Sequence, residues 1–279
     1  MSARLHLQLA RLARMRLAPG VPKVDWRTDL EEEMALRAIE LDWIESERVR
    51  IAPVADRAPR DAARFLRWFE DLQHDGPGQH DPLFGWLAEA ATLCQMRWFL
   101  RQELASAIAL DDLVALAQIG LPDRPKLGAA RDFWHRLAMP RGPMLTRLAD
   151  ELALAQLPDD IQFEARAVGN LMCGLAGNRC YAFQAIGAIG VDELTGPGRA
   201  SQISAGLERL GISRETRRYY EIDAERSAAW SRDVLGPLVA GNIELVPQLA
   251  EGALLRLEIG SRCFVRYREE LAFVHAHAA

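Results

Sequence analysis

Lysine is almost missing from this chain: Lys23 and Lys126 are its only two, so nearly every basic residue is arginine. Basic excess is missing too, since 34 Lys and Arg stand against 39 Asp and Glu, a net charge of -5 with pI ≈ 5.8. A nucleic-acid-binding face usually shows as a basic excess, and none is present here. There is no apolar run of the ~18 residues that a membrane span requires, and mean hydropathy is -0.09. The four cysteines, Cys94, Cys173, Cys180 and Cys263, form no Cys-x-x-Cys pair, which excludes zinc-ribbon and dithiol redox motifs. Buried thiols in a reducing cytoplasm are the plain reading. Phosphate-cradling glycine loops, His-Glu-x-x-His and Gly-x-Ser-x-Gly are also absent.

The chain does have apolar residues, 49% of 279, enough to bury a substantial core. Their spacing is helical throughout, with no stretch of strict apolar/polar alternation. Residues 2–17 set Leu5, Leu9, Leu12 and Leu17 near one face and Arg4, Arg11, Arg14 and Arg16 elsewhere. Both an ordinary N-terminal helix and a mitochondrial-type targeting peptide have this pattern. A helix is expected over 28–47, then a linker from Pro53 to Pro59, then a helix from Asp61 to the Gly76-Pro77-Gly78 loop. Pro82 fits a first helical turn. Further helices are expected over 82–93, 95–109, 126–138 and from Pro143 to Leu154.

Residues 159–188 form the longest uninterrupted pattern and contain Gly169, Cys173, Gly177, Cys180 and Gly187. Glycine costs a helix ~1 kcal/mol relative to alanine. So many small residues imply close approach by a neighbouring helix or a ligand. Gly196-Pro197-Gly198 is expected to end this region, with helices over 199–210, 214–235 and 243–272 after it. The expectation is one compact all-α domain over 51–279, with residues 1–50 as an N-terminal helical extension.

Several segments carry a resemblance. They are Asp111-Asp112-Leu113-Val114-Ala115-Leu116, Lys126-Leu127-Gly128-Ala129-Ala130-Arg131-Asp132-Phe133-Trp134-His135-Arg136, and Gly177-Asn178-Arg179-Cys180-Tyr181-Ala182. They continue through Gly187–Thr195, Gly206–Gly211 and Tyr219–Trp230. Over roughly residues 80–270 the chain resembles the iron-containing redox enzymes of haem-oxygenase-like fold, also called haem-oxygenase-like di-iron oxidases. The resemblance implies a helical bundle around a central pocket. Active members hold one or two non-haem irons with carboxylates and histidines. They use dioxygen to oxidise, cleave or hydroxylate small amines, amino acids or fatty acids.

Carried over residue by residue, the resemblance places Glu103 at the first helix carboxylate and Glu193 at the third. Arg136 stands where a glutamate is expected, and the histidine that should follow is absent. The family's His-x-x-x-Asp-x-x-His becomes Tyr219, Asp223 and Arg226, so the aspartate survives and both imidazoles are gone.

Three carboxylates buried without a cation would repel one another. A guanidinium stays charged and grips carboxylates in bidentate fashion. The leading reading is therefore a metal-free pocket lined by Glu103, Arg136, Glu193, Tyr219, Asp223 and Arg226, with arginine charge replacing the metal's. It would take a small organic ligand, possibly carboxylated, or a partner protein. A second reading keeps iron or manganese, with Glu103, Asp132, His135, Glu193 and Asp223 as ligands of an active oxidase or oxygenase. A third is a cofactor-free oxidase on the same fold. In each case the expected setting is the cytoplasm, with no nucleic acid, no membrane span and a homodimer as the symmetric default.

Overall fold

The structure is a computed structural model and describes residues 3–17, 26–75, 81–106, 142–154, 161–224 and 231–277. Every described element is helical, as the periodicity predicts. In order these are α1 (Ala3–Leu17), α2 (Trp26–Ala55), α3 (Ala62–Asp75), α4 (Pro82–Glu89), α5 (Leu93–Ser106) and α6 (Gly142–Glu151). Then come α7 (Phe163–Gly177), α8 (Ala182–Arg209), α9 (Arg214–Ala224), α10 (Gly236–Gly241) and α11 (Val246–His277). The helix expected over 126–138 and the Gly76-Pro77-Gly78 loop lie outside the described residues.

Local signals account for some boundaries. Pro82 opens α4 as expected, and the Asp81 carboxylate accepts from the Leu83 amide at 2.9 Å as its N-cap. At the other end Arg209 donates to the Ala88 and Ala91 carbonyls, which have no helical partner.

Three expectations give way to tertiary contacts. The pattern over 159–188 is two helices, because Asn178 breaks it. Its backbone is extended (φ -116°, ψ 121°), and its side-chain amide donates to the Gly174 carbonyl at 2.6 Å and to Glu40 at 2.8 Å. Cys173 and Cys180 therefore do not share a helix: Cys173 is buried in α7 and Cys180 is exposed in the 3-10 turn Arg179–Tyr181. Conversely, Gly196-Pro197-Gly198 does not end a helix, and α8 runs through it. Proline deprives the Glu193 carbonyl of its helical donor, but Ala200, Ile203 and Leu207 beyond it are buried and keep the helix seated. The linker expected from Pro53 begins later, since α2 continues through Pro53 to Ala55. In the last turn a lost amide donor costs little.

Two long helices, α8 and α11, form the spine. They touch backbone to backbone. A Cβ on Gly187 would collide with the Leu249 carbonyl, and one on Gly252 with the Gln184 carbonyl. The small residues read from the sequence thus mark close helix approach at this crossing. Around the spine the core divides in two. One cluster joins α1, α2, α3 and α7 to the near halves of α8 and α11. The other joins α4, α5 and α6 to their far halves, with a T-shaped aromatic set of Phe84, Phe99, Phe264 and Tyr267.

Residues of α1 and α2 pack into the first cluster. Leu9, Trp43 and Ile44 are buried against α7, and full burial of such side chains is worth ~1.5–3 kcal/mol each. His6 is fully buried, edge-on to Trp43 and stacked on Phe163. Asn170 of α7 donates to the His6 carbonyl at 3.0 Å and lies 3.3 Å from its Nδ1. Burial pushes the His6 imidazole down to about 4, against a smaller opposing pull from Glu47.

Candidate functional site

At the seam between the two core clusters the spine helices carry charge. Asp192, Thr195 and Arg199 follow one another along α8 at helical spacing, and Arg256 faces them from α11. The Asp192 Oδ1 atom accepts from Arg199 Nη2 at 2.8 Å and from Arg256 Nη2 at 2.8 Å. Arg199 is further held by Nη1, which donates to the Thr195 hydroxyl at 2.9 Å. That hydroxyl in turn donates to the Val191 carbonyl at 2.8 Å. The Arg199 guanidinium also lies over the Phe264 ring, 5.8 Å from its centroid.

Burial is uneven in an informative way. The Arg199 and Arg256 side chains are 14% and 10% exposed, while Asp192 keeps 33%. Glu103 of α5 is likewise partly accessible.

The charges set the protonation states. Burial alone would raise the Asp192 carboxyl, but Arg256 and Arg199 overcome it and hold it below its ordinary value. At Glu103 burial wins over the same two guanidiniums and pushes the carboxyl up, toward its neutral form. Burial also raises the Cys263 thiol and the Tyr267 phenol. Both stay protonated donors, and neither is an activated nucleophile. Tyr267 lies beside Glu103 and Cys263. The Arg256 Nε is buried without a hydrogen-bond partner among the described residues.

Of the residues singled out from sequence, Glu103 lies near Arg199, Arg256 and Tyr267, and Glu193 is buried on α8 next to Asp192. Tyr219 is half-buried on α9, edge-on to Tyr220 at 5.0 Å, and packs against the second core cluster. Asp223 falls within α9, but its side chain is outside the described residues. Asp132, His135, Arg136 and Arg226 also lie outside them. Sequence reasoning missed Asp192, Arg199, Arg256, Cys263 and Tyr267. A signal existed: Arg256, Gly260, Cys263 and Tyr267 recur at i, i+4, i+7 and i+11, placing a cation, a gap, a thiol and a phenol on one inward face of α11.

The model of a family described as iron-containing redox enzyme matches residues 97–261, more than half of the chain. No curated protein matches it. Asp192 Oδ1 already accepts from two guanidiniums, and of the expected metal ligands Asp132, His135 and the Asp223 side chain lie outside the described residues. Among the described residues no three His, Cys, Asp or Glu side chains are grouped to hold a metal ion. No helix among them is long and apolar enough to cross a membrane.

Proposed function

The chain belongs to the iron-containing redox enzyme family, and we propose that the charged seam around Asp192 is a receptor for a small organic carboxylate, with arginine charge serving where active relatives use iron. The observation that carries this reading is the convergence of Arg199 and Arg256 on one oxygen of Asp192. Two permanent cations face one ionised carboxylate, and the enclosed surroundings weaken the screening that water would provide. An unmatched guanidinium in such a place favours a planar oxyanion that it can hold by paired hydrogen bonds. On this reading Arg136, Glu193, Tyr219, Asp223 and Arg226 complete the lining.

The test combines metal analysis and ligand titration. Purified, chelator-washed protein is loaded anaerobically with iron(II), desalted and measured by mass spectrometry. It is then titrated calorimetrically with acetate, octanoate and benzoate, using the matching amides as uncharged controls. The expected result is far less than one metal per chain, and a carboxylate that binds at least ~10-fold more tightly than its amide, or ~1.4 kcal/mol. Iron retained at one or two per chain sinks the reading.

Family membership supports a second reading, a non-haem iron-dependent oxidase or oxygenase of an amine, amino acid or fatty acid. Its altered ligand set would be Glu103, Asp132, His135, Glu193 and Asp223. It requires stoichiometric iron, and oxygen uptake that Glu103→Ala abolishes. A cofactor-free oxidase requires oxygen uptake by metal-free protein.

A further inference from the structure

The Gly196-Pro197-Gly198 run sits where α8 passes from one core cluster to the other. Leu194 belongs to the first cluster and Ala200 to the second. Between them the three residues are half-buried and belong to neither core. Glycine and proline are the poorest helix formers, and proline also removes a rung of the hydrogen-bond ladder. Packing does not require glycine at 196. A Cβ there would meet only Arg199 Nη2, at 4.0 Å, an ordinary contact. At Gly187 and Gly252, by contrast, a Cβ would run into a backbone carbonyl. What Gly196 gives α8 is therefore freedom to bend. One side chain spans the break. Arg199, beyond it, donates from Nη1 to the Thr195 hydroxyl at 2.9 Å and from Nη2 to Asp192 at 2.8 Å, both before it. Thr195 is tied on to the Val191 carbonyl at 2.8 Å, and Arg256 of α11 holds the same Asp192 oxygen at 2.8 Å. Arg199 thus joins the two halves of α8 by contacts that proline does not interrupt.

We propose that Gly196-Pro197-Gly198 is a hinge in α8 and that the Arg199 side chain, bonded to Thr195 and Asp192, is the strap that holds it closed. When the strap lets go, the half of α8 that carries Ala200, Ile203 and Leu207 swings with α4 and α9, the helices packed against it, and the seam around Asp192 opens. The motion requires no ligand.

Hydrogen exchange on the full chain tests the hinge, read as protection of the amides of residues 194–201 against those of 184–190 in the same helix. Arg199→Met should lower protection at 194–201 at least ~10-fold and leave 184–190 within ~2-fold. Adding Pro197→Ala to Arg199→Met should restore most of that protection, because the missing rung returns. Gly196→Ala, which collides with nothing, should raise protection at 194–201 by ~5-fold in the otherwise unaltered chain. No loss in Arg199→Met overturns the strap. Equal losses in both segments overturn the hinge, as does a loss that Pro197→Ala fails to reverse. Should Arg199→Met fail to fold, Gly196→Ala decides alone: a rise confined to 194–201 supports the hinge, and unchanged or lower protection there overturns it.

Discussion

Two buried arginine–carboxylate clusters in this molecule use the same chemistry to opposite ends. Where α1, α2 and α7 meet, Arg16 and Glu40 form a one-to-one pair, with side chains 6% and 2% exposed. Arg16 donates twice, at 2.9 and 2.7 Å, and Asn178 gives Glu40 a third hydrogen bond at 2.8 Å. Gly177 leaves room for the guanidinium, since a Cβ there would meet Arg16 Nη1. That cluster is closed to solvent, with Arg16 Nε buried without a partner among the described residues. On the spine, two guanidiniums share one oxygen of Asp192, and the carboxylate keeps a third of its side-chain surface accessible. The Arg256 Nε is orphaned in the same way. The difference teaches that burial of an ion pair does not by itself distinguish a fastener from a site; the accessibility left to the carboxylate does.

Three measurements break or sharpen this contrast. Glu40→Ala strands a buried guanidinium, and chemical unfolding should show a loss of ~3–5 kcal/mol. The neighbouring His6 tests the same junction through pH. Its folded-state pKa, about 4, lies below the unfolded value near 6.5, so the unfolded chain takes up the proton first. The stability tied to His6 is intact above pH ~6.5, is lost as pH falls toward ~4 and levels off below that, for a total of ~2–3 kcal/mol. His6→Gln should flatten that part of the pH–stability curve. The smallest effect is expected at Asp192→Asn, a loss of ~1–2 kcal/mol, because the side chain is partly accessible and water or an added anion can reach the released guanidiniums. Octanoate should restore part of that loss. If Asp192→Asn costs as much as Glu40→Ala and no anion rescues it, both clusters are fasteners.

What the sequence made legible was local. Helical period gave the class, and Asp81-Pro82 gave the start of α4, because a cap and a first-turn proline act within a few residues. Illegible were features decided by distant partners. Nothing near Pro197 says that α8 will continue, since the support comes from buried Ala200, Ile203 and Leu207. Nothing near Asn178 says that its amide will be engaged by Glu40, 138 residues earlier. The site divides the same way. Resemblance picked out Glu103 and Glu193, and charge reasoning led to arginines in the pocket. The described arginines around Asp192 are Arg199, seven residues along the same helix, and Arg256 on the neighbouring helix, and no motif marks either. Asp192 went unread beside Glu193, although neighbouring helical residues point ~100° apart.

The packing of α1 on α7 also has a history in time. His6 and Asn170 are separated by 164 residues. At roughly 5–20 residues per second, a ribosome needs on the order of ten to thirty seconds to produce the second after the first. During that interval α1 can meet α2, through His6 on Trp43 and Arg16 on Glu40, but the α7 side of its apolar stripe is still to come. An isolated helix of 15 residues is marginal in water, so α1 settles fully only once α7 is made.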